Sequence, residues 1–314
     1  MLEATEASVG SSPTRGETIE RPLSSEQVEE FFRQGFLVVR TPRIPMSQIA
    51  WCRNLLMRMF ERDTGRNEGR NVDLAAREGG KDGPSPQIFR PSLYARELSE
   101  WPFRKTGLAI AKQLLGPEAT LAADNAVFKP SGNGGPTPWH QDEAYNNPQF
   151  YERQVTIWIA LYDTTIENGA MGFIPRSHNL GILRHRLYGG SRVANSIECE
   201  SGFNPTDAVM CPIPAGAMTI HHGRTLHGAS GNSSTSPRLG YILNYKTPPT
   251  PRLDLGPFPW NESYAKSLQG QRRKWLFRGG MVVDFLRFIR SDRDNFRYLW
   301  NRLRKIVSRV SSRR

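Results

Sequence analysis

The sequence predicts a mainly β fold, a sandwich or barrel of short strands with helices flanking it. Three observations carry that expectation. Between about Ala119 and Thr247 apolar residues recur at every second position, most clearly in "VTIWIALYD" (155–163) and "RLGYILNYK" (238–246). Turn-forming clusters, "PSGNGGPTP", "TIENGA", "IPAGA" and "GASGNSSTSP", punctuate that region. Before Ala119, and again beyond residue 255, the apolar spacing changes to the three and four of amphipathic helices. A hydrophobic fraction of 38% over 314 residues suffices for a substantial core.

Taken in order, residues 1–22 are rich in Ser, Thr, Glu and Gly without periodicity, and are expected to form a disordered leader. A helix should start at Ser24, whose hydroxyl can cap it with Gln27 three residues on, while Leu23 and Val28 staple its entry. Gly35 ends it, and "FLVVR" follows as a strand. "MSQIAWCRNLLMRMFERD" reads as a second helix with Ile49, Leu55, Leu56, Met59 and Phe60 on its apolar side, so helices occupy about 24–62. Residues 64–92, rich in Gly, Arg and Pro, read as a long loop. "FRKTGLAIAKQLLG" gives a helix over 103–115, stopped by Gly116 and Pro117.

The β region then runs over about 119–247, with "LAADNAVFK" and "AGAMTIHHG" as further strands. In 155–163, Val155, Ile157, Ile159 and Leu161 share one face, and Thr156, Trp158, Ala160 and Tyr162 the other. Leu239, Tyr241, Leu243 and Tyr245 share a face of the 238–246 strand. The expected division is thus a leader, a domain over 23–255, and a helical extension over 256–314. In the extension Phe296, Leu299, Leu303, Ile306 and Val310 form an apolar stripe beside basic residues.

The net charge of +12 is concentrated in that extension. Residues 271–314 hold 14 Lys and Arg against 3 Asp and Glu, a net +11, which leaves +1 for the rest. A nearly neutral body is not that of a nucleic-acid binder, so no nucleic-acid partner is expected. The basic helix is expected to pack on the barrel, with a peripheral membrane or protein contact as the alternative role of 271–314. Cys52, Cys199 and Cys211 are odd in number and widely spaced, which points to a reducing compartment and not to a disulfide framework. No long apolar run opens or interrupts the sequence, so a cytoplasmic location is expected.

The chemistry concentrates at "PWHQDEAY" (138–145). Residues i and i+2 of a strand face the same side, so His140 and Asp142 can aim into one cavity if the strand persists. An imidazole and a carboxylate are two of the three ligands of a mononuclear iron(II) facial triad. Chance alone yields ~0.6 such His-x-(Asp/Glu) matches in a chain of this composition, so the pair needs a distant third member. "HHGRTLHGASGNSSTSPRLGYILNY" (221–245) offers three competing histidines, His221, His222 and His227. His227 stands before a turn, and Arg238 opens the next strand. A buried guanidinium there can hold the far carboxylate of a dicarboxylate co-substrate with two charge-assisted contacts.

"TPWHQDEAY", "VTIWIALYDTTIENGAMGFIPRSH" and "GRTLHGASGN" followed by "PR" together resemble the phytanoyl-CoA dioxygenase family, over about Leu23 to Tyr245. The resemblance implies a double-stranded β-helix, a jelly-roll or cupin-like barrel. It implies Fe(II) and O2 as cofactors and 2-oxoglutarate as co-substrate. It places the metal on His140, Asp142 and His227, and the far carboxylate of 2-oxoglutarate on Arg238. It further suggests Trp158 as a wall of the co-substrate pocket, with Gln141 between two ligands as another candidate. The implied activity is oxidation of a C–H bond of a small organic substrate, with 2-oxoglutarate converted to succinate and CO2. Related halogenases replace the carboxylate by a small residue, so Asp142 favours oxygenation. Two departures stand out: Ala229 occupies a position where many relatives have serine, with Ser230 next, and Arg176 replaces the glycine of a Pro-Gly-Ser-His turn. The rival expectations are a non-catalytic jelly-roll binding protein and a cupin-like metal enzyme that does not use 2-oxoglutarate.

Blander roles are expected for the other polar residues. At most one of His221 and His222 can face the cavity, and both read as structural or surface positions. His178 reads as a turn residue, His185 as solvated beside Arg184 and Arg186, and Lys129 as an exposed strand-end lysine.

Overall fold

A computed structural model describes residues 21–41, 43–191, 194–252, 258–261 and 282–283. Nearly all of the expected leader (1–22) and of the basic segment 271–314 lies outside these residues.

Helix α1 (Ser25–Gln34) begins at the capping box read from the sequence: Ser24 accepts from the Gln27 amide, and the Gln27 side chain accepts from the Ser24 amide. Gly35 ends it with φ +85°, and a Cβ there would strike the His178 ring at 2.3 Å. Strand β1 (Phe36–Val39) and helix α2 (Met46–Glu61) follow as expected. The segment 64–92 departs from the expected loop. It carries strands β2 (Asn71–Asp73) and β3 (Pro86–Phe89), which extend the main sheet beyond β4 (Thr120–Lys129). Strands of three and four residues carry too little alternation to be read, and pairing with β4 defines them. Helices α3 (Arg96–Ser99) and α4 (Phe103–Leu115) lie between β3 and β4.

Beyond β4 the described residues up to 252 are almost wholly strand, turn and short 3-10 helix. Its elements are β5 (Thr137–His140), β6 (Phe150–Tyr151), β7 (Gln154–Ala160), β8 (Met171–Phe173), β9 (His185–Leu187), β10 (Ile197–Cys199), β11 (Val209–Cys211), β12 (Met218–His222), β13 (His227–Ala229), β14 (Arg238–Lys246) and β15 (Thr250–Pro251). Among the described residues two main antiparallel sheets result, a seven-stranded one in the order β1-β12-β7-β14-β4-β3-β2 and a four-stranded one in the order β11-β8-β13-β5, while β6 pairs separately with β15. This is the expected jelly-roll architecture, with β9–β10 as an added hairpin within the segment 184–212.

Alternation along the strands divides the large sheet between two environments. Val155, Ile157, Ile159, Leu239, Tyr241, Leu243 and Tyr245 face α1, α2 and α4 and build the main core with Phe31, Ile49, Leu56 and Ile110. Asp124 is buried on that side, accepting from Tyr241 Oη at 2.7 Å and Ser92 Oγ at 2.7 Å, with Arg104 Nη2 at 2.9 Å. The opposite residues, Thr156, Trp158, Arg238, Ile242, Asn244 and Lys246, line a cavity between the sheets.

Arg176 adopts φ +62°, a left-handed conformation that costs a residue with a Cβ ~1–2 kcal/mol. Its side chain is exposed while its amide donates to Gln34 O at 2.8 Å. Arg176→Gly is expected to stabilise the fold by ~1 kcal/mol, read as a rise in the urea midpoint. An unchanged or lower midpoint contradicts this.

Candidate metal centre

His140 and His227 sit directly opposite each other on antiparallel β5 and β13, and their ring centroids lie 4.2 Å apart. β5 ends at His140, so the strand does not persist to Asp142. That residue opens a 3-10 turn (Asp142–Tyr145), and the turn still brings its carboxylate back to the pair. Asp142 Oδ1 lies 3.6 Å from His140 Nε2 and 3.7 Å from His227 Nε2. One donor atom from each of the three falls within 4.8 Å of the others.

The protonation states suit ligation. His140 Nδ1 lies 2.7 Å from Pro138 O and His227 Nδ1 2.9 Å from Thr225 O. Each carbonyl takes the Nδ1 proton and leaves the Nε2 lone pair facing Asp142. Burial, with His221 and His140 beside it, holds the His227 pKa well below its ordinary value, so the ring is neutral. Burial pushes the Asp142 carboxyl upward, but hydrogen bonding to the imidazoles that crowd it, His140 and His221 first, outweighs burial and holds the pKa well below the usual range.

The other oxygen of Asp142 faces the large sheet. Oδ2 accepts from Thr156 Oγ1 at 2.5 Å and lies 3.2 Å from His221 Nε2. His221, Thr156 and Asn244 are register neighbours across β12, β7 and β14. Asn244 Nδ2 donates to Thr156 Oγ1 at 2.9 Å, and Asn125 Nδ2 donates to Asn244 Oδ1 at 2.9 Å. His221, expected as structural or surface, is therefore buried against a candidate ligand, while His222 faces the other way, toward His178. At most one of the two faces the cavity, as the alternation requires. The available signal was a polar residue on an inward position of a strand buried on both faces, which Thr156 and His221 both are.

Along β14, Arg238 occupies the same face as Asn244, six residues away. It is 1% exposed, and its guanidinium carbon lies 4.4 Å from the Trp158 ring centroid. Nε and Nη2 are buried without a hydrogen-bond partner, and among the described residues no carboxylate pairs with it. Burial alone pulls its pKa down to about 9. Its register partner on β4 is Lys129, which is fully buried and not the exposed residue expected. The Lys129 ammonium is held by Gly135 O at 2.6 Å and Ser230 O at 2.8 Å. Burial and the neighbouring Arg238 push the Lys129 pKa well below its ordinary value, whereas the buried guanidinium, left without an anion, fits a carboxylate of a bound molecule.

Trp158 lines the cavity, as expected, and it does so because β14 has glycine at 240. A Cβ on Gly240 would meet the indole at 2.2 Å. Gly240→Ala is expected to cost ~1–3 kcal/mol of stability by overpacking, read by urea unfolding. A change under half a kcal/mol would show that the indole moves aside freely.

Gln141 is a correction. It is fully buried but does not line the cavity: Nε2 donates to Gly181 O and Arg224 O at 2.7 Å each, and Oε1 accepts from Leu183 N at 2.8 Å. Standing between two inward residues, it points outward and ties down the flanking loops. Trp139 is likewise turned away, against Phe203. His185 is buried, not solvated; its Nε2 accepts from the Gln141 amide at 3.2 Å, and burial draws its pKa to about 4. Ala229 faces the interior without a hydroxyl, and Ser230 does not replace it, since its hydroxyl donates to Ile166 O. The start of the extension braces the Asp142 turn: Trp260 Nε1 donates to Ala144 O and Asn261 Nδ2 to Asn146 O.

The cavity that holds the His-Asp-His cluster, Trp158 and Arg238 measures about 430 Å³. Among the described residues no helix is long and apolar enough to cross a membrane.

Comparison with known proteins gives a consistent picture. The family model described as "Phytanoyl-CoA dioxygenase (PhyH)" matches residues 31–240. The chain is 30% identical over 172 residues to a "Probable alpha-ketoglutarate-dependent hypophosphite dioxygenase" of Stutzerimonas stutzeri, covering 52% of this chain and 59% of that protein. It is 33% identical over 121 residues to "Phytanoyl-CoA dioxygenase domain-containing protein 1" of Danio rerio, covering 38% of this chain and 42% of that protein. The chain thus spans about half the length of the curated relatives it matches. Among solved structures, EvdO2 from Micromonospora carbonacea var. aurantiaca, complexed with 2-oxoglutarate, is 29% identical with a TM-score of 0.64, covering 76% of this chain and 97% of that one. EctD from S. alaskensis, 18% identical with a TM-score of 0.55 and covering 74% of this chain and 80% of that one, shares the fold.

Proposed function

The chain belongs to the phytanoyl-CoA dioxygenase family, and from that premise we propose that it is an Fe(II)- and 2-oxoglutarate-dependent dioxygenase oxidising a C–H bond of a small organic substrate. The observation that carries the co-substrate is Arg238, a buried, unpaired guanidinium in the same cavity as the His-Asp-His cluster. A metal site alone has no use for it. A five-carbon dicarboxylate needs a metal at one end and a cation at the other.

The donor set fits iron(II). Two imidazoles and one carboxylate are the donor set that would hold iron(II) and leave room for small ligands. Iron, when bound, supplies O2 activation coupled to decarboxylation of 2-oxoglutarate to succinate and CO2, and with it the oxidising power for the C–H bond. The chain's own residues do the rest. His140, Asp142 and His227 hold the metal, and the Pro138 and Thr225 carbonyls fix the two imidazoles. Arg238 takes the far carboxylate through Nε and Nη2, held flat by the Trp158 indole. Lys129, its register partner on β4, donates to Gly135 O and Ser230 O and so fixes the turns next to the guanidinium. The apolar neighbours Ile242 and Met171 keep water from the co-substrate. Asp142 supplies a protein carboxylate where halogenases lack one, which favours oxygenation. A cavity of about 430 Å³ suits a small organic substrate together with the co-substrate.

The test is product stoichiometry. Iron-dependent, oxygen-dependent formation of one succinate per 2-oxoglutarate consumed supports the proposal. A protein that binds metal yet leaves 2-oxoglutarate intact across a metabolite panel is instead a binding protein or a different metal enzyme.

A further inference from the structure

We propose that His221 is a positioning residue that, with Thr156, clamps the outer oxygen of Asp142 and so presents this carboxylate to the metal through one oxygen only. The inference rests on the metal-binding reading above and adds a residue to which the sequence assigns no part in it.

The geometry separates three histidines that crowd one carboxylate. The rings of His140 and of His221 each lie 4.2 Å from that of His227. The second nitrogen of each ring decides its role. In His140 and His227 a backbone carbonyl takes the Nδ1 proton, so Nε2 arrives as a lone pair. In His221 no group meets Nδ1, which is buried without a partner. A neutral His221 therefore carries its proton on Nε2, directed at Asp142 Oδ2 across 3.2 Å. It is a donor to the carboxylate and not a third imidazole ligand.

Thr156 is oriented the same way by its own neighbour. Asn244 Nδ2 donates to Thr156 Oγ1, so the hydroxyl proton is free to point at Asp142 Oδ2, 2.5 Å away. Asn125 in turn donates to Asn244 Oδ1, so the chain of hydrogen bonds runs in one direction, from β4 through β14 and β7 to the carboxylate. Oδ2 thereby receives two donors from the large sheet, while Oδ1 faces His140 and His227 on the side of the small sheet. The carboxylate bridges the two sheets with each oxygen committed to one of them. A free carboxylate can swing to chelate a metal with both oxygens and consume a position that the co-substrate needs. Two donors on Oδ2 oppose that swing.

The test uses the apo chain with Co(II) as the probe, reading affinity by calorimetry and coordination by visible absorption. His221→Phe keeps the ring beside Phe173 and removes the donor, and His221→Gln restores an N–H. Thr156→Val removes the other donor. The expected result is a ~10–100-fold weaker Co(II) affinity in His221→Phe, with a cobalt spectrum of higher coordination number and an unchanged apo melting curve. Recovery is expected in His221→Gln, with a further loss in the double variant. Wild-type affinity and spectrum in His221→Phe would overturn the clamp. So would an affinity loss that tracks a lowered apo melting temperature and is not rescued by Gln, which marks a packing role. Should His221→Phe fail to fold, Thr156→Val carries the comparison with His221→Gln as the donor-retaining control, and a wild-type affinity and spectrum in Thr156→Val overturn the clamp. A wild-type chain that takes up no cobalt, or takes it up equally in His140→Ala, sinks the metal reading itself. Wild-type uptake that depends on His140 but ignores His221 sinks only the clamp.

Discussion

A His140→Ala variant is expected to lose 2-oxoglutarate turnover by about a thousandfold or more, because several kcal/mol of metal-supplied stabilisation depend on the site and each ~1.4 kcal/mol is a factor of ten. The same loss is expected for Asp142→Ala and His227→Ala. The three share one function, so the double variants should be scarcely worse than the singles. His140 lies opposite His227 in the β5–β13 ladder at a position that is half-buried, so the substitution removes a donor without opening the main core. Succinate release with saturating Fe(II) measures it. A His140→Ala chain that still forms succinate at the wild-type rate is incompatible with the assigned ligands.

The second large effect belongs to Arg238. Truncating one partner of a buried charged contact costs about 2–5 kcal/mol, which is some thirtyfold or more in affinity. Arg238→Met is therefore expected to raise the 2-oxoglutarate KM at least thirtyfold while leaving Co(II) affinity near that of the wild type. Arg238→Lys should recover little, because a point charge cannot reproduce the flat two-pronged donor held over Trp158. The apo protein should respond in the opposite sense. The guanidinium is buried without an anion, and removing an uncompensated buried charge relieves a cost. The Arg238→Met apo protein should melt at or above the wild-type temperature, yet gain nothing from added 2-oxoglutarate and Co(II) beyond the gain from Co(II) alone. Equal 2-oxoglutarate KM values for the two chains would show that Arg238 does not hold the co-substrate.

What was legible in the sequence follows from period and spacing. Strands β7 and β14 are long enough for alternation to assign both faces, so Tyr241 and Tyr245 fall in the helix-side core and Trp158 in the cavity. The capping box at Ser24 is local chemistry and needs no tertiary partner. β2 and β3 escaped because three or four residues cannot establish a period, and only pairing with β4 makes them strands. The alternation that puts His140 and Asp142 inward already turns Gln141 outward, toward Gly181 O and Arg224 O. Residue type alone suggests an exposed lysine at 129 and a structural or surface histidine at 221. Their burial depends on which strands lie beside them, Arg238 on β14 for one and Thr156 on β7 for the other, and register is a tertiary property. The roles expected of the basic segment 271–314 fall almost wholly outside the described residues.

The most direct measurement is an anaerobic titration of the apo chain with Fe(II) and then 2-oxoglutarate, followed by visible absorption. The expected result is a broad band typical of an iron(II)–2-oxo acid chelate. It should be saturable in both components, absent in His140→Ala, and displaced to much higher 2-oxoglutarate concentrations in Arg238→Met. A wild-type protein that binds Fe(II) but develops no such band at any 2-oxoglutarate concentration would contradict the assignment of this cavity.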